Sequence, residues 1–370
     1  MAELDILKPE VSHVIGGMEG KSIIIYGPNR AGKTFNTSKA LKPLFLSFEK
    51  GLNAIEGVPF FYIDTWSKFL NLVKQLTNPT TIAQVKQQYS TIIIDTIQGI
   101  TDLADEYICS IYNITSIGAG NNGYGNWKEY EKTMLAPLKK LCASGYTLAF
   151  LAHETERKLK DEAGNEFVQL YPKSGDAKRC TAIICDFCDF IAYAQTQNSA
   201  DGNEVLSTLY FKGTQAFYAG SRFRKIVPSI PQWNWEKLVK AINDAIAMEE
   251  QETGVKAYTL SQAQAAEAKQ QDLAEKTINN SVDTLVKEMG AMLAAMNQAE
   301  GNIETYNKLL RDINMPNFKA SAINENSSPE DKNRLEYLHG ILVEKGYYEK
   351  AGLGQAAAEV PASTSKKSKS

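Results

Sequence analysis

The sequence predicts an α/β protein with a mainly parallel central sheet and a small helical domain after it, and three observations carry that expectation. Over residues 1 to about 230, short β-rich runs alternate with helical patterns. Several runs, "TIIID" and "TLAFLA" among them, are apolar throughout, as strands buried on both faces are. Third, "GPNRAGKT" at 27–34 sets a glycine-rich turn between an apolar run and a helical pattern.

The chain has 370 residues, 43% of them hydrophobic, enough for one large domain with a real core and a smaller second one. Its net charge of −3 spreads no basic footprint, so a nucleic acid would have to be met by local patches or loops. The opening "MAELDILKPE" is acidic where a signal peptide is basic, and no apolar run approaches the roughly 18 residues that span a bilayer. A cytoplasmic protein with no membrane partner is expected. Cys109, Cys142, Cys180, Cys185 and Cys188 stand in apolar segments and read as reduced buried thiols. Cys185 and Cys188 form a C-x-x-C, but no second pair and no nearby histidine completes a metal set.

Strands are expected, in order, at "SIIIY", "PLFLSF", "PFFYID", "TIIID", "TLAFLA", "DFIAYA" and "LSTLYFKG". After "RKIVPSIPQWNW" a helix is expected over 235–250, closing a domain that occupies residues 1–250. Residues 251–275 turn Ala/Gln-rich, a helical or flexible linker. A small helical domain follows over 276–350. Ile278, Val282, Leu285, Val286, Met289, Leu293 and Met296 recur at three- and four-residue steps along one helix face, and Ile303, Tyr306, Leu309, Leu310 and Ile313 along a second. "SSPEDKNRLEYLHGILVEKG" supplies a Ser cap, Pro in the first turn and Gly346 as a stop for a third. Residues 351–370 read as a polar, lysine-dotted disordered tail.

Gly27, Gly32, Lys33 and Thr34 match G-x-x-x-x-G-K-[ST]. The glycines let backbone N–H groups turn toward phosphate oxygens, Lys33 reaches the β- and γ-phosphates, and the Thr34 hydroxyl is offered to Mg²⁺. The nucleotide-binding stretch is thus Gly27, Pro28, Asn29, Arg30, Ala31, Gly32, Lys33, Thr34 and Phe35. Such a loop needs a second carboxylate to hold the cation, largely through water, at the end of a buried strand; "TIIIDT" supplies Asp95. In many P-loop ATPases the base follows this Asp, but here Thr96 takes that place. Glu49, closing the strand in "PLFLSFEKGL", offers a carboxylate to the same crevice from the carboxyl edge of a neighbouring strand. His153, ending another apolar run, is placed for a neutral imidazole to hydrogen-bond the γ-phosphate. The plain alternatives are a helix cap for Asp95, a solvated charge for Glu49 and a structural histidine for His153.

In their order and gaps, "YGPNRAGKT", "PLFLSFEKGL", "TIIIDT" and "LAHETER" resemble the RecA-like ATPase core, and within it the phage-encoded single-strand annealing and recombination ATPases of the P-loop "AAA domain" type. The resemblance covers residues 20 to about 230. It implies a RecA-like P-loop NTPase core, ATP and Mg²⁺ as cofactors, and Lys33, Glu49, Asp95 and His153 as the catalytic set, with Glu49 the base and His153 the γ-phosphate sensor. For a phage gene it implies the bacterial host cytoplasm.

Members of that family hold single-stranded DNA with two mobile loops, one after the Walker B helix and one after the sensor strand. "SIGAGNNGYGNWKEY" takes the first place, with Tyr124 and Trp127, and "ETERKLKDEAGNEFVQLYPKSGDAKRC" the second, with Arg157, Lys158, Lys160, Lys173, Lys178 and Arg179. Flexible backbone, an aromatic platform and cations are what single-strand binding needs. The alternative is two solvated loops, the second a hairpin turning at "DEAGNE". In oligomeric members a neighbouring subunit inserts a Lys or Arg against the γ-phosphate. Arg222 and Arg224, following Lys212, are the candidates for such a finger, and a homo-oligomer goes with them.

The expected function is therefore ATP hydrolysis that controls single-stranded DNA binding in phage recombination, annealing or replication. No [NT]-K-x-D guanine-reading motif occurs, which favours ATP over GTP. The alternative is a nucleotide-gated scaffold or loader whose C-terminal helical domain recruits a phage replication or packaging partner. A small-molecule kinase would need an arginine-rich lid, and the sequence offers no compact segment for one.

Overall fold

The computed structural model describes residues 13–49, 55–174, 178–198, 205–300 and 303–353. In chain order it carries β1 (Ser22–Gly27), α1 (Lys33–Thr37), β2 (Pro43–Ser47), β3 (Phe60–Tyr62), α2 (Trp66–Leu76), α3 (Ile82–Gln88), β4 (Thr91–Asp95), α4 (Ile97–Tyr112) and α5 (Trp127–Ala143). There follow β5 (Thr147–Lys160), β6 (Glu166–Pro172), α6 (Lys178–Phe187), β7 (Phe190–Asn198), β8 (Val205–Tyr210), β9 (Gly220–Ser221), β10 (Ser229–Ile230) and α7 (Trp235–Thr253). α8 (Leu260–Glu300), α9 (Ile303–Asp312), α10 (Pro329–Glu344) and α11 (Tyr347–Lys350) complete the order.

Alternation along β1 decides how the sheet is covered. All six of its residues are buried, yet Ile24 and Tyr26 belong to one apolar core and Ile23 and Ile25 to another. Successive side chains point to opposite faces, so both faces are packed, which is why the run is apolar without interruption. α2, α4, α5 and α6 cover one face through Phe69, Ile100, Tyr130 and Ile184. The phosphate-loop segment at Ala31 and α7, through Leu238 and Ile242, cover the other. Each such fully buried aliphatic side chain contributes about 1.5–3 kcal/mol. Local chemistry sets the helix ends: Thr65 caps α2 by accepting from the Lys68 N–H, Asn234 caps α7 by accepting from Lys237 N–H at 2.8 Å, and Gly254 closes α7 at φ 70°.

The strand order is β10-β8-β7-β1-β5-β4-β2-β3, with β6 on β5 and β9 on β7. From β7 to β3 all neighbours are parallel; β8, β10, β9 and β6 pair antiparallel. Two elements differ from their sequence expectation. α1 stops at Thr37: the Ser38 N–H still reaches the Thr34 carbonyl at 2.9 Å, but the Lys39 and Ala40 N–H groups tighten onto the Asn36 and Thr37 carbonyls at 3.3 and 3.0 Å, and the Ser38 hydroxyl donates to the Phe35 carbonyl at 2.7 Å. The stretch read as a second mobile loop is a hairpin: β5 runs on past the core and pairs with β6 from Glu154↔Pro172 to Lys160↔Glu166. Its turn is held by Asp161, whose carboxylate accepts the Asn165 N–H at 2.7 Å, and by Gly164 at φ 85°.

The chain divides after Ala263, inside the 251–275 stretch and after α8 has begun, into this sheet unit and a helical one from Gln264 onward. The helical unit packs Val282, Met289, Met292 and Met296 of α8 with Leu310 of α9 and Leu335, Leu338 and Leu342 of α10. Ser328 caps α10, Pro329 is its first residue, and Gly346 follows it at φ 76°. The side chain of Ile278 and residues 354–370 of the expected tail lie outside the described residues. Among the described residues no helix is long and apolar enough to cross a membrane.

Candidate functional site

Register brings the strand ends together. Gly27 lies opposite His153, Leu151 opposite Asp95, and Asp95 opposite Ser47. Because β5 sits between β1 and β4, the phosphate loop, His153 and Asp95 follow one another along the carboxyl edge of the sheet. Ile93 and Leu151, two residues earlier, lie in the core beneath α7, so alternation sends Asp95 and His153 to the face the phosphate loop also occupies.

Gly27 is required by contact: at φ 155°, a Cβ there would stand 2.3 Å from the Ala194 carbonyl oxygen of β7. Gly32 at φ 71° and Arg30 at φ 65° take left-handed backbone. Lys33 is buried and donates from Nζ to the carbonyls of Gly27 at 2.9 Å and Pro28 at 2.7 Å. Burial lowers its pKa to about 8, against the charges of Asp95 and Glu154, which raise it. Burial also pushes Asp95 up to about 6, helped by the Glu49 charge and opposed by Lys33 and a hydrogen bond with Thr34. A hydroxyl and a carboxylate already bonded to each other, with a second carboxylate in electrostatic range, fit a hydrated divalent cation that would relieve the repulsion.

Glu49 lies two residues beyond the end of β2, and its Oε1 accepts the Thr96 hydroxyl at 2.6 Å. The same Oγ1 accepts the Gly99 N–H at 3.4 Å, capping α4. Thr96, which in the sequence marks only a missing acid, is thus the residue that holds the acid brought from β2. His153 is half-buried, and its Nδ1 is sealed from solvent with no hydrogen-bond partner among the described residues. Burial, then the Lys33 charge, lower its pKa, so the ring is neutral at pH 7. Its carbonyl accepts the Lys173 N–H at 2.8 Å, which fixes the base of the hairpin beside the site. Glu154 was not singled out by its position after an apolar run; it accepts the Tyr193 hydroxyl at 3.1 Å, and its charge reaches Lys33.

Other sequence candidates lie apart. Tyr124 is 83% exposed in the segment before α5, whereas Trp127 packs partly buried against the core, its indole against Gly125. Lys158 is exposed on the hairpin. The side chains of Lys178 and Arg179, at the start of α6, lie outside the described residues. Arg222 pairs with Asp189 at 3.3 Å, and Asp189 also accepts the Ser22 N–H at the beginning of β1. Five residue steps lead from Ser22 to Gly27, about 17 Å of strand, so Arg222 occupies the opposite edge of the sheet from the phosphate loop. Arg224 is engaged by Glu249 at 3.4 Å and Glu252 at 3.1 Å. Among the described residues Cys109, Cys142, Cys185 and Cys188 are free thiols.

A glycine-bounded phosphate loop on a central parallel strand, a buried carboxylate two strands away and a polar group between them define a P-loop nucleoside triphosphatase. The chain belongs to the family described as "AAA domain", which matches residues 19–223, and it is an ATP-hydrolysing enzyme. Over 307 residues it is 38% identical to the SPbeta prophage-derived uncharacterized protein YorG of Bacillus subtilis strain 168, an overlap of 83% of this chain and 88% of that one. Two solved structures are similar at low identity. The flagellar accessory protein FlaH of Methanocaldococcus jannaschii is 12% identical with a TM-score of 0.28, over 53% of this chain and 78% of that one. A KaiC-like protein of Pyrococcus horikoshii OT3 is 11% identical with a TM-score of 0.31, over 60% and 95%.

Proposed function

We propose that the protein is a RecA-like ATPase acting on single-stranded DNA in phage recombination, annealing or replication. The observation that carries this reading is the continuity of β5, which passes from the phosphate site at His153 directly into a hairpin with exposed Lys158 and with Lys173 at its base. A strand held there would bear on the site that cleaves the nucleotide. Tyr124 adds an exposed ring for stacking. The prophage origin of the 38%-identical relative supports the phage setting.

In this reading Lys33 binds the β- and γ-phosphates, and Thr34 and Asp95 hold Mg²⁺ largely through water, the ion supplying charge neutralisation. Glu49, oriented by Thr96, accepts a proton from the water that attacks the γ-phosphorus. The bond from that phosphorus to the β–γ bridging oxygen breaks, and ADP departs with the oxygen. His153, the half-buried polar group at the same strand edge, registers the loss of the γ-phosphate.

The test is the rate of ATP hydrolysis with and without single-stranded DNA at two salt concentrations. Stimulation that shrinks with salt is expected, and Lys158→Glu should weaken DNA binding and reduce the salt slope by about one. A rate indifferent to DNA, with no binding at low salt, would reject the DNA reading. It would favour instead a nucleotide-gated loader working through the helical unit.

A further inference from the structure

Breaking the bond to the γ-phosphorus moves negative charge onto the γ-phosphoryl oxygens and the departing bridging oxygen, and a cation held there speeds the reaction. Lys33 is one such cation, kept at the loop by the Gly27 and Pro28 carbonyls. Arg222 and Arg224, the residues expected from the sequence to supply another, are both engaged by acids, and Arg222 stands at the opposite edge of the sheet. The hairpin brings a different cation to the site.

Toward the core, the pairing of β5 with β6 ends at Glu154↔Pro172, and one step further the Lys173 N–H donates to the His153 carbonyl at 2.8 Å. Lys173 therefore lies directly opposite His153, and residues so opposed in an antiparallel pair share a face. That face is the one the phosphate loop occupies, and Gly27, where the loop begins, is the neighbour of His153 on β1. Lys173 is exposed, and its ammonium makes no hydrogen bond or ion pair among the described residues. Its charge is felt at the His153 ring: burial first and then Lys33 lower the pKa of that ring, Glu49 raises it, and Lys173 lowers it again. The backbone bond to His153 fixes where this side chain starts, so only its own torsions separate the ammonium from the phosphate edge.

We propose that Lys173 is a catalytic residue of the hydrolysis, its ammonium meeting a γ-phosphate oxygen from within the same chain and stabilising the charge that develops as the phosphoryl group passes to water. The role asks for no proton transfer and no second copy of the chain. It rests on residues 27–34 being the phosphate cradle. It fills the part for which Arg222 is misplaced and Arg224 already engaged.

The test joins ATP hydrolysis without DNA to calorimetry on the full chain with Mg-ADP, alone and with aluminium fluoride, a stand-in for the phosphoryl group in transfer. Lys173→Ala should lower kcat at least about 100-fold with little change in KM, and Lys173→Arg, which keeps the charge, should retain most of the rate. Lys173→Ala should bind Mg-ADP as the unaltered protein does, yet lose at least about tenfold of the affinity that aluminium fluoride adds. An unaltered kcat in Lys173→Ala, equal losses in Lys173→Ala and Lys173→Arg, or an undiminished gain from aluminium fluoride overturns the proposal. So does a specific activity that falls on dilution and is untouched by Lys173→Ala, which gives the cation to a second copy. Binding of neither ligand by the unaltered protein, or binding untouched by Lys33→Ala, instead overturns the phosphate cradle itself, and this proposal with it.

Discussion

Asp95 titrates near 6 in the folded chain, against an ordinary value of 3.8, so folding favours its protonated form. The ionised carboxylate therefore costs stability above pH 6, and that cost is absent below about pH 4. A shift of about two units corresponds to roughly 3 kcal/mol. Asp95→Asn is expected to raise the melting temperature at pH 8 and change it little at pH 4; equal shifts at both pH values would refute this. At Glu49, the exchange Glu49→Gln should lower kcat at least about 100-fold with nucleotide binding retained. Thr96→Val should cost about tenfold in kcat with little change in KM, since the base stays but loses the bond that aims it. Hydrolysis by Glu49→Gln at the unaltered rate would remove Glu49 from the chemistry. Asp95 and His153 were legible because each ends a run too apolar to be anything but an inner strand. Thr96 and Glu154 were not, because their partners Glu49 and Tyr193 lie 47 and 39 residues away and pairing at that range leaves no local pattern.

At the scale of elements, α4 meets the end of β2 at Gly99, where a Cβ would stand 2.4 Å from Phe48 Cβ. Phe48 directly precedes Glu49, so the spacing of a helix against a strand end positions the carboxylate. Gly99→Ala should force that segment outward, costing about 1–3 kcal/mol and slowing hydrolysis. Denaturant midpoints and kcat measure both; a variant unchanged in each would show that the segment yields freely. The hairpin shows where sequence reading stops. "ETERKLK" reads alone as a charged loop or as one arm of a hairpin turning at "DEAGNE", and only the pairing with β6 decides for the hairpin. The far position of Arg222 was equally hidden, since it depends on β9, two residues that turn back beside the start of β7.

For the whole molecule, two separately packed units imply two separate responses to ligand. Mg-ATP at about 100 times its Kd stabilises the unit it binds by about 2.7 kcal/mol. In calorimetry of the full chain it should raise the melting of the sheet unit and leave that of the helical unit in place. A protein ending at Ala263 should keep nucleotide binding. Loss of binding there, or both transitions moving together with ATP, would mean that the helical unit takes part in the site. The division was partly legible, because the Ala/Gln-rich composition of 251–275 marks it. Its position within the early turns of α8 was not, since a continuous helix carries no break for a sequence to announce.

β5 also sets a contrast in amide exchange. The amides around residues 148–151 lie between β1 and β4 and open only when the sheet opens. Those around 155–160 have β6 alone beside them and exchange with the hairpin. The slow and fast regimes meet at His153, so whatever binds at the phosphate edge or on the hairpin is expected to shift one boundary, readable in deuterium uptake along a single strand.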